Sequence, residues 1–164
     1  MPDRRIILAA SLLLAAGLTQ SSCSDSITEP VLQNDFTATL SGANERPNAN
    51  SSTATGTATV TLTQSSLTFS ISVTGLTSPT AAHIHVGKAS VSGGIILGLT
   101  PATPPTGSFT GVFNSGTVSA SDLAGAAVSL ASLAALIRNG DAYINVHTVA
   151  LPGGEIRGQL VPKP

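Results

Sequence analysis

The chain contains little that is aromatic or charged. Its 164 residues include one cysteine, no tryptophan, one tyrosine and four phenylalanines, and only 9% are charged. A single cysteine cannot form an internal disulfide, so stability must come from strand pairing and from aliphatic packing. The formal net charge of -1 provides no basic surface of the kind that nucleic-acid binding requires. We therefore expect a small globular domain with an aliphatic core and no nucleic-acid partner.

Sequence signatures of catalysis are also scarce. No serine lies in a Gly-x-Ser-x-Gly nucleophile elbow. A hydrolase that uses paired carboxylates would require Glu45 to approach Glu155, and these two residues are far apart in the sequence. The turn glycines at 93–94 and 153–154 lack the strand-to-helix context of a phosphate-binding loop. These features favour a protein without catalytic activity.

The N-terminus has the pattern of a secretory signal. Arg4 and Arg5 precede an apolar run over residues 6–18, and Cys23 follows two serines. The run is shorter than the about 20 residues that a membrane-spanning helix needs. This pattern predicts a signal peptide over residues 1–22, of the lipoprotein type, with Cys23 as the lipid anchor. The alternative is ordinary secretion with cleavage nearby and a free Cys23 thiol.

The rest of the chain divides into a short tether and one domain. Residues 23–34 are rich in serine and acidic residues, which suits a tether, and residues 35–162 have the alternating pattern of strands. The strand pattern recurs at 36–40, 53–63, 67–73, 81–86, 95–99, 107–118, 143–148 and 155–160, with a loop at 75–80. Residues 129–138 have helical spacing and Ser129 as N-cap. We predict an all-β domain with one short helix, built as a β-sandwich or an open barrel.

The three histidines of the chain lie in two of these predicted strands. His83 and His85 share one face of the first strand because side chains alternate with period 2. His147 shares a face of the second strand with Tyr143 and Asn145. Three imidazoles would be a ligand set for zinc or copper if the two strands lie near each other. His83, His85 and His147 are therefore candidate metal ligands.

The last hairpin of the chain adds polar residues to the same face. A turn near residue 151 would place His147 opposite Glu155, Asn145 opposite Arg157, and Tyr143 opposite Gln159. In a metal site, the side chains of this face would hydrogen-bond to the metal ligands and orient them, as Glu155 would orient an imidazole. These side chains are those of Tyr143, Asn145, Glu155 and Arg157. Alternatively, they would form a structural network in which Arg157 pairs with Glu155 and the histidines donate to loop carbonyls.

Several separated segments resemble the CHRD (chordin) domain, in its stand-alone bacterial form. They are Phe36-Thr37-Ala38-Thr39-Leu40-Ser41-Gly42-Ala43-Asn44-Glu45-Arg46-Pro47, Ala82-His83-Ile84-His85, Tyr143-x-Asn145-Val146-His147-Thr148 and Gly153-Gly154-Glu155-Ile156-Arg157-Gly158-Gln159-Leu160, and they extend from Phe36 to Leu160. The resemblance implies a compact, β-rich, immunoglobulin-like extracellular module in which the two histidine strands lie near each other, without a settled biochemical activity. Glu45 lies in the first segment, where we expect it to form a salt bridge or cap a loop. His83-x-His85 alone is also similar to the copper ligands of Cu,Zn superoxide dismutases, although no fourth histidine is present.

These observations lead to two functional hypotheses. The first is a binding or scaffolding module in the cell envelope or outside the cell, which contacts another envelope or extracellular protein and reaches the membrane only through its N-terminal lipid. The second is a copper- or zinc-binding protein that uses the three histidines and that is open to redox chemistry. Metal content of the purified protein would distinguish them.

Overall fold

The computed structural model describes residues 32–123 and 128–164. The predicted signal peptide, the lipid-anchor residue Cys23 and most of the predicted tether lie outside these residues. Among the described residues, none of the helices has both the length and the apolar character needed to cross a membrane.

The described part of the domain is built from nine strands and one α-helix. The strands are β1 (Asp35–Ser41), β2 (Thr55–Leu62), β3 (Ser66–Thr77), β4 (Pro79–Val86), β5 (Ile95–Gly98), β6 (Ser108–Ser119), β7 (Ala142–Thr148), β8 (Ile156–Gln159) and β9 (Val161–Pro162). The helix α1 spans Leu130–Arg138, and a short 3-10 helix spans Gly42–Asn44. The all-β fold with one short helix is confirmed.

The strands form one antiparallel sheet. Its order is β5-β4-β7-β8-β1-β2-β3-β6, with β9 paired to β1. The sheet curls into a half-barrel, which corresponds to the open-barrel alternative predicted from the sequence. The strand order places β4, β7 and β8 side by side, and these strands carry the histidines and the last hairpin.

The core lies on one face of the curled sheet. In β2 the alternation of exposed threonine with buried apolar residues extends over the whole strand. Its partner β3 buries Leu67, Phe69, Ile71 and Val73 on the same side. Such alternation is what a half-buried antiparallel strand requires. Strand β7 differs, because all seven of its residues are buried, so its polar face is covered as well as its apolar face.

The helix forms where the sequence pattern predicts it. Ser129 is its N-cap, and its hydroxyl accepts a hydrogen bond from the backbone N–H of Ser132 at 3.2 Å. The buried residues Leu130, Leu133, Ala134 and Ile137 lie at helical spacing and pack on the core.

One segment differs from the pattern-based expectation. Residues 75–80 are predicted to form a loop, but β3 continues to Thr77 and β4 begins at Pro79, so that only Ser78, with a positive φ of 49°, separates them.

The strand pattern at 107–118 corresponds to β6, whose pairing with β3 shifts register twice. At the first shift, Ile71 pairs with Asn114 while Ser72 pairs with Val112, which is a bulge in β6. The bulge inserts the buried Phe113 without ending the strand.

Candidate metal centre

Strands β4 and β7 are hydrogen-bonded neighbours, and their register brings the histidines to one face. His83 pairs with Asn145, His85 pairs with Tyr143, and His147 pairs with Ala81. Directly paired residues of an antiparallel sheet project from the same side. All three imidazoles therefore lie on the face of β4 and β7 that is opposite to Ile84 and Ile144, the core residues of these strands.

The three imidazoles converge closely. Their ring centroids are 4.8 Å apart for His83 and His147, 5.6 Å for His83 and His85, and 6.2 Å for His85 and His147. One ring nitrogen from each residue lies within 4.8 Å of the others. His85 and His147 are buried and His83 is half-buried, so the cluster is open to solvent on the side of His83.

Backbone carbonyls set which nitrogens face the centre. The Nδ1 of His85 is 2.8 Å from the carbonyl oxygen of Gly93, and the Nδ1 of His147 is 2.9 Å from that of Pro152. A carbonyl only accepts, so both Nδ1 atoms must donate, which leaves Nε2 of each ring with a lone pair. The Nε2 of His85 is buried and has no hydrogen-bond partner within the described residues. The Nε2 of His147 faces Nδ1 of His83 at 3.0 Å.

The environment keeps the imidazoles neutral. Burial, together with repulsion from His147 and His85, lowers the pKa of His83 to about 4. Burial also lowers the pKa of His85 and of His147, against the opposing effect of their carbonyl hydrogen bonds. Neutral imidazole is the form that binds a metal ion. The three imidazoles are therefore uncharged at neutral pH, as metal binding requires.

A stack of side chains supports His85. The ring of Tyr143 is parallel to that of His85, with centroids 4.9 Å apart and planes at 10°. On Tyr143 lies the guanidinium carbon of Arg157, 3.4 Å from the ring centroid. The Tyr143 hydroxyl accepts a hydrogen bond from the backbone N–H of Gly93, whose carbonyl holds His85. Tyr143, Gly93 and Arg157 together fix the orientation of the His85 ring.

The last hairpin has the register that the sequence indicates, although its side chains pair differently. Asn145 pairs with Arg157, and Tyr143 with Gln159. The carboxylate of Glu155 does not reach His147 but accepts from the hydroxyls of Thr148 at 2.6 Å and Ser52 at 2.7 Å.

The partners of Arg157 also differ from the expected ones. Its Nη2 donates to the carbonyls of Lys88 and Val91 rather than to Glu155. Glu155 precedes the first residue of β8, where two nearby hydroxyls satisfy its carboxylate. His147 is therefore oriented by the carbonyl of Pro152, not by Glu155. Arg157 packs on the ring of Tyr143 instead of pairing with Glu155.

The two remaining predicted site residues, Asn145 and Glu45, are both buried. Asn145 lies on the histidine face, and its Oδ1 has no hydrogen-bond partner among the described residues. The carboxyl of Glu45 lies beside Gly154 and interacts through its charge with Arg157 and Arg46. Burial raises the pKa of Glu45 to about 7, against the lowering effect of Arg157 and Arg46.

The arrangement offers three nitrogen ligands and an open side. Zinc prefers such imidazole donors in tetrahedral geometry, and copper accepts them as well. An open fourth position would take a water molecule or another donor. The carbonyls of Gly93 and Pro152 would act as the outer hydrogen bonds that orient metal-bound histidines.

Comparison with known proteins identifies the family. The sequence profile named CHRD domain matches residues 36–160. No curated protein sequence and no solved structure shows a significant match. The matched segment begins in β1, includes all three histidines and ends just after β8. The chain therefore belongs to the CHRD domain family.

Proposed function

We propose that this protein is a binding module of the cell envelope or extracellular space, and that the ligand its geometry favours is a copper or zinc ion. Membership of the CHRD family supports a non-catalytic binding module in general terms. The metal ion would be held by His83, His85 and His147. The observation that carries this proposal is that one nitrogen of each ring lies within 4.8 Å of the others.

The distances are close to those of a metal site. Ligands at about 2.0–2.1 Å from a tetrahedral zinc ion lie about 3.3 Å from each other. Nδ1 of His83 and Nε2 of His147 are already 3.0 Å apart. The separations of up to 4.8 Å would have to shorten, which rotation of the half-buried His83 ring and a small shift of the strands can supply. The ligating atoms would be Nδ1 of His83 and Nε2 of His85 and His147.

Metal addition to the purified protein tests this proposal. Zinc or copper should raise the melting temperature in a saturable manner, with one ion bound per chain, because an ion that binds only the folded state stabilises it. The double substitution His83→Ala and His147→Ala should abolish the shift. Thr59→Ala, at an exposed position of β2, is the matched control and should leave the shift unchanged.

The other candidate is a module that binds a protein of the envelope or extracellular space. The histidine cluster would then be a hydrogen-bonded network that joins β4, β7 and the loops at Gly93 and Pro152. A protein that contains no metal after purification, and that does not respond to zinc or copper, would favour this function. If copper does bind, loss of the Cu(II) spin resonance signal on mild reduction would identify a redox-active site.

Attachment to a membrane through Cys23 is part of the proposal. It is supported by the signal-like segment before this residue, which is the one cysteine of the chain. The protein should fractionate with membranes, and Cys23→Ala should release it or leave it with an uncleaved signal. His83→Ala should fractionate like the unmodified protein. Recovery of the unmodified protein entirely in the soluble fraction would exclude the anchor.

A further inference from the structure

Among the residues that the structure describes, the guanidinium of Arg157 has no carboxylate as a hydrogen-bond partner. The side chain is 1% exposed, and its hydrogen bonds run from Nη2 to the carbonyls of Lys88 and Val91. The Nη1 atom is buried and has no partner in the described part of the chain. The carboxyl of Glu45 acts on Arg157 through its charge, but burial raises the pKa of Glu45 to about 7, so it balances the arginine only in part at neutral pH. Because a buried charge that is incompletely balanced is costly, an anion from outside the chain would stabilise Arg157.

A small cavity lies beside Arg157 and carries a second arginine. We call it the arginine cavity; its volume is about 110 Å³, and its lining residues are Asn44, Arg46, Ala89, Arg157 and Gln159. None of these is acidic. Arg46 donates from Nη1 to the carbonyls of Ala43 and Glu45, which fixes its guanidinium at the rim. Glu45 acts on both arginines through its charge, but its pKa is raised to about 7, so the two guanidinium groups leave the cavity electropositive at pH 7.

Gln159 adds a hydrogen-bond acceptor to this cavity. Its Nε2 carries two hydrogens and lies 3.0, 2.8 and 2.8 Å from the carbonyl oxygens of Gly87, Gly140 and Ala142, so two of these carbonyls share one hydrogen. These three contacts set the orientation of the amide, because a carbonyl cannot accept from the amide oxygen. The Oε1 of Gln159 is buried without a partner in the described residues. It therefore requires a donor.

We infer that the arginine cavity binds a small oxyanion that carries a hydroxyl, of the hydrogen phosphate type, as the free ion or as the end of a phosphomonoester. Arg157 and Arg46 neutralise its charge, since guanidinium groups donate well to phosphate oxygens. Its hydroxyl donates to Oε1 of Gln159. A cavity of about 110 Å³ is far smaller than the roughly 300–1,000 Å³ of pockets for drug-sized ligands, so it accepts a single such group. None of the three histidines lines this cavity.

Titration with inorganic phosphate tests this inference. The purified protein, in a phosphate-free buffer at pH 7 with EDTA to remove metal ions, is titrated at constant ionic strength while its melting temperature is followed. We expect a saturable rise with phosphate. Sulfate has the same shape but no proton to donate to Gln159, so its apparent affinity should be at least tenfold lower. Because metal ions are removed, the result does not depend on the histidine site.

Two arginine variants separate the site from general charge effects. Arg46→Ala should weaken phosphate binding at least tenfold, and this residue is only half-buried, so the fold should tolerate the change. Arg138→Ala removes the same charge from a helix that does not line the cavity, and it should bind phosphate like the unmodified protein.

Glycerol 3-phosphate then distinguishes the free phosphate ion from a phosphomonoester as the natural ligand. Binding of this probe supports a phosphomonoester, and its exclusion while phosphate binds supports the free ion.

Three results would overturn the inference. The first is the absence of any saturable response to phosphate. The second is an equal response to sulfate, which would show an adventitious ion only. The third is an unchanged phosphate affinity in Arg46→Ala, because the second guanidinium would then take no part in binding.

Discussion

Nδ1 of His83 lies 3.0 Å from Nε2 of His147, across the neighbouring strands β4 and β7. His147 donates from its Nδ1 to the carbonyl of Pro152, so its Nε2 accepts and His83 is the donor of the pair. The nitrogen of His83 that would face a metal ion therefore carries the proton in the metal-free protein. Metal binding requires this proton to move to Nε2 of the same ring, without a change in the charge of the cluster.

The lowered pKa values of the three histidines predict an unusual pH dependence of zinc affinity. The pKa of His83 is lowered to about 4, and those of His85 and His147 are lowered as well. Protons therefore compete with zinc only at pH values below the usual range of histidine, near 6.5. Zinc affinity, measured by competition with a chelator of known pH dependence, should stay nearly constant from pH 8 to about 6. A steep loss centred near pH 6.5 would contradict the lowered pKa values.

Gly154 provides a test of the loop that packs beside Glu45. Its φ is +129°, and an added Cβ would lie within 3 Å of the Glu45 carboxyl. Gly154→Ala should therefore both strain the backbone and displace Glu45, at a cost of about 1–3 kcal/mol in the free energy of unfolding. Gly153→Ala is the matched control, because nothing lies within 4 Å of its Cβ position. Denaturant unfolding of both variants measures the difference, and equal effects would contradict the packing.

The core face of β7 gives a third prediction. Ile144 and Val146 are fully buried, so truncation of either residue to alanine should lower the free energy of unfolding by about 1–4 kcal/mol. Thr59→Ala, on the exposed face of β2, should cost far less. Thr37 is half-buried and donates to the carbonyl of Ala58, so it is a poorer control than Thr59. Similar small losses of unfolding free energy in Ile144→Ala and Thr59→Ala would show that Ile144 does not lie on the core face of β7.

Strand phase and hairpin register could be predicted from the sequence because both depend on local pattern. Alternation with period 2 placed His83 and His85 on one face, and the turn before β8 placed Asn145 opposite Arg157. The helix could be predicted for the same reason, from apolar spacing and the Ser129 cap. The adjacency of β4 and β7 is a long-range pairing, which local pattern does not determine, and it came from the family resemblance alone.

The sequence allowed for histidines that donate to loop carbonyls, but it could not show which carbonyls these are. The groups that orient His85 and His147 are backbone carbonyls, of Gly93 and Pro152. Every residue has a backbone carbonyl, so only the path of the loop selects one. The same holds for Arg157, whose acceptors are the carbonyls of Lys88 and Val91. The sequence signal favoured charge pairing with Glu155 because side-chain charges are visible in a sequence and loop carbonyls are not.

The pH dependence of stability should show two opposing contributions. Burial raises the pKa of Glu45 from 4.5 to about 7, so its contribution to stability is fully present below about pH 4.5 and is lost as the pH rises to about 7. Burial lowers the pKa of His83 from 6.5 to about 4, and it also lowers the pKa values of His85 and His147. The contribution of the histidines is present above pH 6.5 and is lost as the pH falls below that value. Between about pH 4.5 and 6.5 the two changes partly cancel.

Substitution of Glu45 should separate these contributions. Glu45→Gln removes the cost of a buried carboxylate, so the variant should be more stable than the unmodified protein at pH 8. One pKa unit corresponds to about 1.4 kcal/mol. Although Glu45 is 4% exposed, it lines an open cavity in which solvent screens its charge, so we expect a gain of about 1–2 kcal/mol. At pH 4, where the carboxyl is protonated in both states, the gain should vanish. Urea unfolding at the two pH values measures it, and an equal difference at both would show that Glu45 does not titrate as the structure indicates.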